Sequence, residues 1–547
     1  MLNQNFGRIE MKKYLSLIIF FLICLAIQSQ TLPNESVHVH VSKSLLITGE
    51  SIRFRTWVQS ETGPAFSKIA YAELIDRNSN AVAQVIFPLE NGSGENYLLI
   101  PNTLESDHYI FRVYTRTSPY LGQEGIYNQF VTIINPKLPP GQAADQVTKN
   151  TYSSIEHSFK TIDLIETGIS TSFDLPLDNF PKSEKNTFSI AFKNPFLPKN
   201  QKGFFRKEIY QHISQVNNLI PEPYGHIIHA KTLDYPIDTT ETFFLSSHGN
   251  QSVLNSSKPD MERNLYFELG PLKDYNFLIA QSEKQEKQLN FSPQSPFAAF
   301  EFKNDFHFPT LILEEKDKEL LQKLIVAGKS ESYFTEEEIQ EFLPIATGFV
   351  ADRTYLLDDY TRFENLEVTL KEYVPEVLVR RQSRKMVLKV LDKPTAGVFQ
   401  ENPLVLIDAM PIFDVDKFGK MDPKGLKKLE VLSREFFLNK DRFAGVVSFS
   451  SFENDFGGFE LPENALYLNY WPVQAPKKYI SPHLIKIPKP DHFPDFRTKL
   501  YWSSDFDIHT QKTFYASRVH GEFELVYSYF DENGTWQQIR GTLNVSE

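Results

Sequence analysis

The sequence predicts a mainly β protein, several β-sandwich domains in tandem with one small α+β domain, and three observations predict it. Short segments that alternate apolar and polar residues recur between turn signals along much of the chain, the period-two pattern of strands with one buried face. The composition is aromatic-rich, with 46 Phe and 24 Tyr among 547 residues, side chains that suit a pleated, half-buried surface. Helical periodicity gathers in one region only, 314–371. At 41% hydrophobic and 23% charged, a chain of this length holds material for several cores rather than one.

Taken in order, Lys12 and Lys13 precede an apolar stretch, 14–27, followed by Gln28, Ser29 and Gln30. This reads as a secretory signal over 1–30, with Met11 a suitable start and the apolar run too short for a comfortable membrane span. The single cysteine, Cys24, lies inside that run behind Ile23, which is not the small residue that lipidation requires. An exported chain cut after the signal is therefore expected to hold no cysteine, no disulfide and no thiol nucleophile. The formal charge of −12 argues against a nucleic-acid partner, since such binding rests on cations neutralising phosphates.

Residues 31–140 read as a β-sandwich. Segments 51–58 (SIRFRTWV), 69–75 (IAYAELI), 81–87 and 109–114 are separated by turns at Gly49, at Asp76, Arg77 and Asn78, at Asn91 and Gly92, and at Ser106 and Asp107. The stretches LLITGESIRFRTWVQ, SKIAYAELIDRNSNAV and DHYIFRVYTRT resemble, in that order, the macroglobulin-type (Ig-like) domain of α2-macroglobulins and of exported Bacteroidota proteins. Trapping α2-macroglobulins use a Cys–Gln thioester, so the resemblance implies at most a non-covalent inhibitor or sensor of proteases. After the prolines of 135–140 the sequence suggests a second β domain over 141–218, with a strand at 187–192. Residues 219–293, with IPEPYGHIIHAKTLDYPIDTTETFFLSSHGNQ and NLYFEL, resemble a carboxypeptidase-regulatory-like β-sandwich, a spacer or binding fold.

A helical connector is expected over 294–350. Leu320, Leu321, Leu324 and Ile325 share one helix face, Gly328 suits a left-handed stop, and Thr335 with Glu338 has the spacing of a capping box. Phe363, Leu366 and Leu370 then form a stripe that ends at Pro375. Over 351–455 the apolar run 404–407 predicts a strand that turns at Asp408, and Asp422 followed by Pro423 predicts a helix start before Leu429, Val431 and Leu432. A strand follows Gly445. The stretch PLVLIDAMPIFDVDKFGKMDPKGLKKLEVLSREFFLNKDRFAGVVSFSS resembles the plug domain of TonB-dependent outer-membrane receptors, departing from it at Ala409, where that family favours glycine, and in a thin Gly-rich turn. The LDDYTRF and VPEVLVR stretches ahead of it resemble the lead-in found in Bacteroidota macroglobulin-type proteins. Residues 456–547 read as a proline-rich connector and a C-terminal β domain with a hairpin at Asn533 and Gly534. A receptor needs a long barrel of some twenty strands after its plug, and residues 452–547 are expected to be too few to form one.

No catalytic, cofactor-binding or metal-binding residues are assigned, and no cofactor is expected. VAGKS (326–330) has Lys323 where a phosphate loop needs its first glycine. His38 and His40 share a strand face without a third ligand, which reads as a solvated face; His226 and His229 point to opposite faces. Asp358 with Asp359, and Asp414 with Asp416, read as caps and turn residues rather than acid–base pairs. Asp408 is the further carboxylate that a hydrolase built from scattered acids would draw on. Tyr470, Trp471, Tyr501 and Trp502 read as sandwich packing. The expectation is a non-enzymatic interaction protein of the cell envelope, in the periplasm or peripheral to the outer membrane, that binds an outer-membrane protein or envelope complex and no nucleic acid.

Overall fold

The computed structural model describes residues 33–61, 63–120, 122–141, 152, 160–176, 180–213, 219–233, 236–285, 289–330, 336–338, 348–480, 495–508 and 513–547. The signal segment 1–30 lies outside the described residues. The fold is mainly β, and sandwiches in tandem dominate it.

The first sandwich follows the alternation in the sequence closely. One sheet runs Glu35–Val41, Ser51–Ser60, Ser93–Leu99; the other runs Phe204–Phe205, Ile126–Ile134, Asp107–Tyr114, Ile69–Ile75, Ala81–Pro88, with Leu45–Ile47 parallel to Ile126–Ile134. Gly49 and Gly92 turn with φ of +89° and +74°, and at Gly92 a Cβ would stand 2.7 Å from the Val58 carbonyl oxygen. Asp76 holds its turn by accepting from the Asn78 and Asn80 amides at 2.9 and 2.8 Å. Inside, Phe54 meets Phe87 and Phe111 at 5.3 and 5.0 Å.

Both faces of the larger sheet are covered. Tyr71, Ile75, Tyr114 and Phe130 point away from the sandwich interior and pack on Phe205, Ile209, Tyr210, Phe300, Phe306 and Phe308. Strand Ile69–Ile75 is buried throughout, as its near-continuous apolar sequence allows.

The segments expected as separate β domains over 141–218 and 456–547 share one sheet. Its order is Lys499–Ser503, Asn186–Phe192, Gly521–Phe530, Trp536–Ser546, Lys160–Gly168, the last pair parallel. Short strands with weak alternation at 160–192 acquire a core only against Phe506, Phe514, Phe523, Leu525 and Leu543 from the other end of the chain.

A further sandwich pairs Ile227–Thr232, Asn264–Glu268 and Phe291–Pro293 against Phe243–Gly249, Val253–Ser257 and Tyr275–Ser282, and Leu466–Leu468 of the expected connector joins the second sheet. The next segment, 470–475, straps this sandwich to the first: the Asp274 amide donates to the Val473 carbonyl at 2.9 Å, and the Gln474 amide to the Ile86 carbonyl at 2.7 Å.

Among the described residues of the expected connector 294–350, α-helix is confined to one stretch. Lys318–Ser330 presents Leu320, Leu321 and Leu324 to the discontinuous domain's core, and it runs past Gly328, whose Cα lies close to Ile47 and Glu50 instead of ending the helix. Glu336–Glu338, expected at a helix start, is a strand paired with Lys478–Ile480; Thr335 lies outside the described residues.

The α+β domain has a mixed sheet, Arg353–Leu356, Leu426–Leu432, Val446–Ser451, Leu404–Ile407, Met410–Pro411, in which Leu404–Ile407 runs parallel to Val446–Ser451. The hairpin Val377–Gln382/Lys385–Asp392 and the helices Leu366–Tyr373 and Val415–Gly419 complete it around Leu370, Leu388, Val405, Phe418 and Phe449. Asn365 caps the first of these helices by accepting from the Val368 amide at 3.0 Å. The helix expected after Asp422 is a single 3-10 turn, Pro423–Gly425, capped as predicted by Asp422. Leu426, Leu429 and Val431 then enter the core from a strand, because the neighbouring strand Val446–Ser451 supplies the hydrogen bonds that a helix would have made within itself.

Candidate functional site

Each side chain weighed for chemistry in the sequence has a place in packing or in a turn. His38 and His40 do share a strand face, but that face is buried against the discontinuous domain. His38 stacks on Trp536 at 5.5 Å, and the His40 Nε2 lies 2.8 Å from the Ser189 hydroxyl with Trp502 edge-on at 5.3 Å. The solvated face expected there is an interface, a fact carried by residues some 150 and 500 positions away that local alternation does not encode.

The His40–Ser189 pair has the spacing of a base and a nucleophile, yet it lacks the other parts. Burial, with Arg540 adding to it, lowers the His40 imidazole to about 3, which leaves a poor base, and its Nδ1 has no orienting partner. The same holds at His248, whose Nε2 lies 2.8 Å from the Ser246 hydroxyl while burial lowers the ring to about 3. Among the described residues no cluster of three His, Cys, Asp or Glu side chains forms a metal-ligand set.

His226 and His229 diverge as expected. His229 stacks on Tyr266 and bonds Asn264 at 3.1 Å, whereas His226 joins a buried network. Asp358 pairs with Arg362 at 2.6 Å, Asp414 caps Val415–Gly419 through the Lys417 amide, and Asp416 pairs with Lys420 at 2.7 Å. Asp408 is buried and accepts from the Ser451 amide, the Ser451 hydroxyl and the Phe456 amide at 2.8, 2.6 and 2.9 Å, so it ties the turn to the strand beyond. Val326–Ser330 is helix, with no loop to wrap a phosphate. Tyr470 and Trp502 are buried, Tyr501 packs on Phe188, and Trp471 is partly exposed against Phe297.

Sequence reasoning missed two buried ion networks. Glu222 accepts from Arg116 at 3.1 Å, from Tyr71 at 2.7 Å and from His226 at 2.8 Å, which joins the first sandwich to the chain leading into the next. Burial alone would raise the Glu222 carboxyl, but Arg116 and these hydrogen bonds hold it below its ordinary value. Glu73 and Arg112 pair at 2.6 Å on the covered face of the large sheet, with the Arg112 guanidinium 3.8 Å from the Phe300 ring centroid. The one hint in the sequence is a charge inside otherwise apolar strands, at Glu73 in IAYAELI and Arg112 in YIFRVY.

Among the described residues, one edge of the α+β domain's sheet has no strand paired to it. Arg353–Leu356 is the outer strand of its sheet and pairs with Leu426–Leu432 on one side. On this strand Leu356 is 50% exposed, and Phe452, just past the end of Val446–Ser451, is 48% exposed. Tyr355, Tyr360 and Tyr373 form a chain of rings with centroids 6.0 and 4.9 Å apart, and the Arg362 guanidinium stands 5.9 Å from the Phe452 centroid. Aromatic rings, an arginine and an edge strand unpaired on one side among the described residues are features suited to protein contact.

Fold and site thus define a multidomain, mainly β protein whose reactive side chains are engaged in its own packing. No family model matches the chain, and no curated protein matches it. Solved structures similar to it include dimeric latent PorU from Porphyromonas gingivalis, at 10% identity and TM-score 0.17 over 50% of this chain and 34% of that one. A variant of Salmonella alpha-2-macroglobulin is similar at 7% identity and TM-score 0.21 over 95% of this chain and 40% of that one. The tandem V-type regions of VCBP3 are similar at 9% identity and TM-score 0.13 over 49% of this chain and 100% of that one. The chain spans about a third of the PorU chain and two fifths of the macroglobulin chain. TM-scores of this size leave function to be argued from the residues.

Proposed function

We propose that this protein is a non-enzymatic interaction protein of the cell envelope, which docks through its plug-like α+β domain and its β-sandwiches on an outer-membrane protein or assembly. The observation that carries the reading is the edge strand Arg353–Leu356, unpaired on one side among the described residues and bearing exposed Leu356, with Phe452 exposed on the same domain, whose sequence resembles receptor plugs. The engagement of His40, His226, Asp408, Asp414 and Asp416 in packing and turns supports a role in contact rather than turnover. Export by the 1–30 segment, to the periplasm or the periphery of the outer membrane, belongs to this proposal.

The test is crosslinking of the tagged full-length chain in cells, followed by purification from solubilised envelope. The expected result is an outer-membrane protein that copurifies with the parent chain and falls at least tenfold with Leu356→Asp and Phe452→Asp, while their melting curves stay unchanged. Recovery without any outer-membrane protein overturns the reading. Incubation with a panel of proteases separates it from non-covalent protease inhibition, which predicts loss of protease activity at stoichiometric amounts.

A further inference from the structure

The contact between the first sandwich and the discontinuous domain is not closed along its whole length. A cavity of about 410 Å³ remains, lined among others by His40, Ser42, Ser189, Gln538 and Arg540 and by Lys199 and Lys202 of the turn at 199–202. That volume lies in the range of small-molecule sites.

Two features distinguish it from a packing gap. The first is charge. Five cations line it, Lys43, Lys193, Lys199, Lys202 and Arg540, against one carboxylate, Glu524, in a chain whose formal charge is −12. Lys43 is matched by Glu50 at 2.7 Å, Lys193 by Glu522 at 2.6 Å and Arg540 by Glu524 at 3.3 Å. Lys199 and Lys202 have no carboxylate within ion-pair distance among the described residues, so positive charge is left over on that wall. The second is unmet hydrogen bonding among the lining residues. The His40 Nδ1 and the Ser42 hydroxyl are buried at 2% and 1% exposure and have no hydrogen-bond partner. Buried polar atoms without partners are costly and uncommon. With its Nε2 on the Ser189 hydroxyl, the neutral ring can carry its proton on Nδ1, so imidazole N–H and serine O–H are both donors that no protein group accepts from.

We propose that this cleft binds a small oxyanion, a phosphate or carboxylate group borne on a polar body of about one or two sugar rings, with Lys199 and Lys202 attracting the charge and the His40 and Ser42 donors completing its coordination. The recognised chemistry is common to a free phosphorylated metabolite and to a phosphate- or uronate-bearing envelope glycan. The proposal is independent of the docking edge, which lies on another domain.

Calorimetry and thermal-shift measurements on the full chain at low salt test it, with inorganic phosphate, glucose 6-phosphate, glucuronate and neutral glucose as probes. Expected are binding of at least one anionic probe and at least tenfold weaker binding by the Lys199→Ala/Lys202→Ala double variant, whose unliganded melting temperature is unchanged. Ser42→Ala, which removes a hydroxyl without a partner, is expected to weaken binding with equal or higher thermal stability. Tighter binding of glucose 6-phosphate or glucuronate than of inorganic phosphate supports a sugar-borne group; the reverse order supports the free oxyanion. The proposal is overturned if no anionic probe binds at millimolar concentration, if glucose binds as well as the anions, or if Lys316→Ala, a change remote from the cleft, weakens binding as much as the double variant.

Discussion

Asp408 and Ala409 both sit in the left-handed region, at φ of 46° and 66°, in the two-residue turn between Leu404–Ile407 and Met410–Pro411. That geometry costs an L-residue about 1–2 kcal/mol and asks for glycine, which is where the sequence departs from the family it resembles. Ala409→Gly is expected to relieve the strain while giving back about 0.4–1 kcal/mol of chain entropy, so a denaturant melt should show stabilisation of up to roughly 1 kcal/mol. A second prediction concerns acid. His40 and His248 are lowered to about 3 and His108 to about 4, chiefly by burial in each case, and an unfolded histidine titrates near 6.5. Between those values the unfolded chain binds more protons than the folded one, so stability is complete above about pH 6.5 and declines as the pH falls toward 4. Melting temperatures recorded from pH 7.5 to 4 should drop through this window, and His248→Phe, which preserves the stack on Phe277, should flatten the fall.

At the level of elements, the sequence was legible wherever one strand's alternation decided its own burial. Ser51–Ser60, Ile69–Ile75, Ala81–Pro88 and Asp107–Tyr114 begin and end within a residue or two of the alternating segments, and the cap at Asp422 stands where capping chemistry places it. Legibility failed where a neighbour decided. The capped proline at Asp422 and Pro423 reads locally as the start of a helix, yet only a single turn forms before Leu426–Leu432 pairs on both sides as a strand. Gly328 reads as a stop, yet the helix continues because its face packs on Leu45–Ile47. Gly425 illustrates the same dependence: a Cβ there would come within 2.3 Å of the Gly457 carbonyl oxygen, a partner found only in three dimensions. Gly425→Ala is expected to destabilise the α+β domain by about 2 kcal/mol or more, read as a lowered denaturation midpoint.

For the molecule as a whole, little of the candidate site was legible beyond the charges of Glu73 and Arg112 inside apolar strands. The cleft and the buried networks are made by segments far apart in the chain, and a formal charge of −12 conceals a local excess of lysine. Glu222 shows what such a junction is worth. Glu222→Gln is expected to leave Arg116 buried without its counter-charge and to cost about 3–5 kcal/mol, seen as separate melting of the first sandwich from its neighbour. Deleting residues 521–547 is expected to strip Asn186–Phe192 and Lys160–Gly168 of their central partners and to make residues 160–192 the first site of limited proteolysis.

The parallel pairing of Lys160–Gly168 with Trp536–Ser546 also has a kinetic side. A chain emerging from its N-terminal end displays the face bearing His40 and Trp57 long before Trp502, Phe530 and Trp536 exist to cover it. Its assembly is therefore governed by one late, distant encounter, slow by topology, and until that encounter the half-made protein offers a sticky aromatic surface for a holdase to shield.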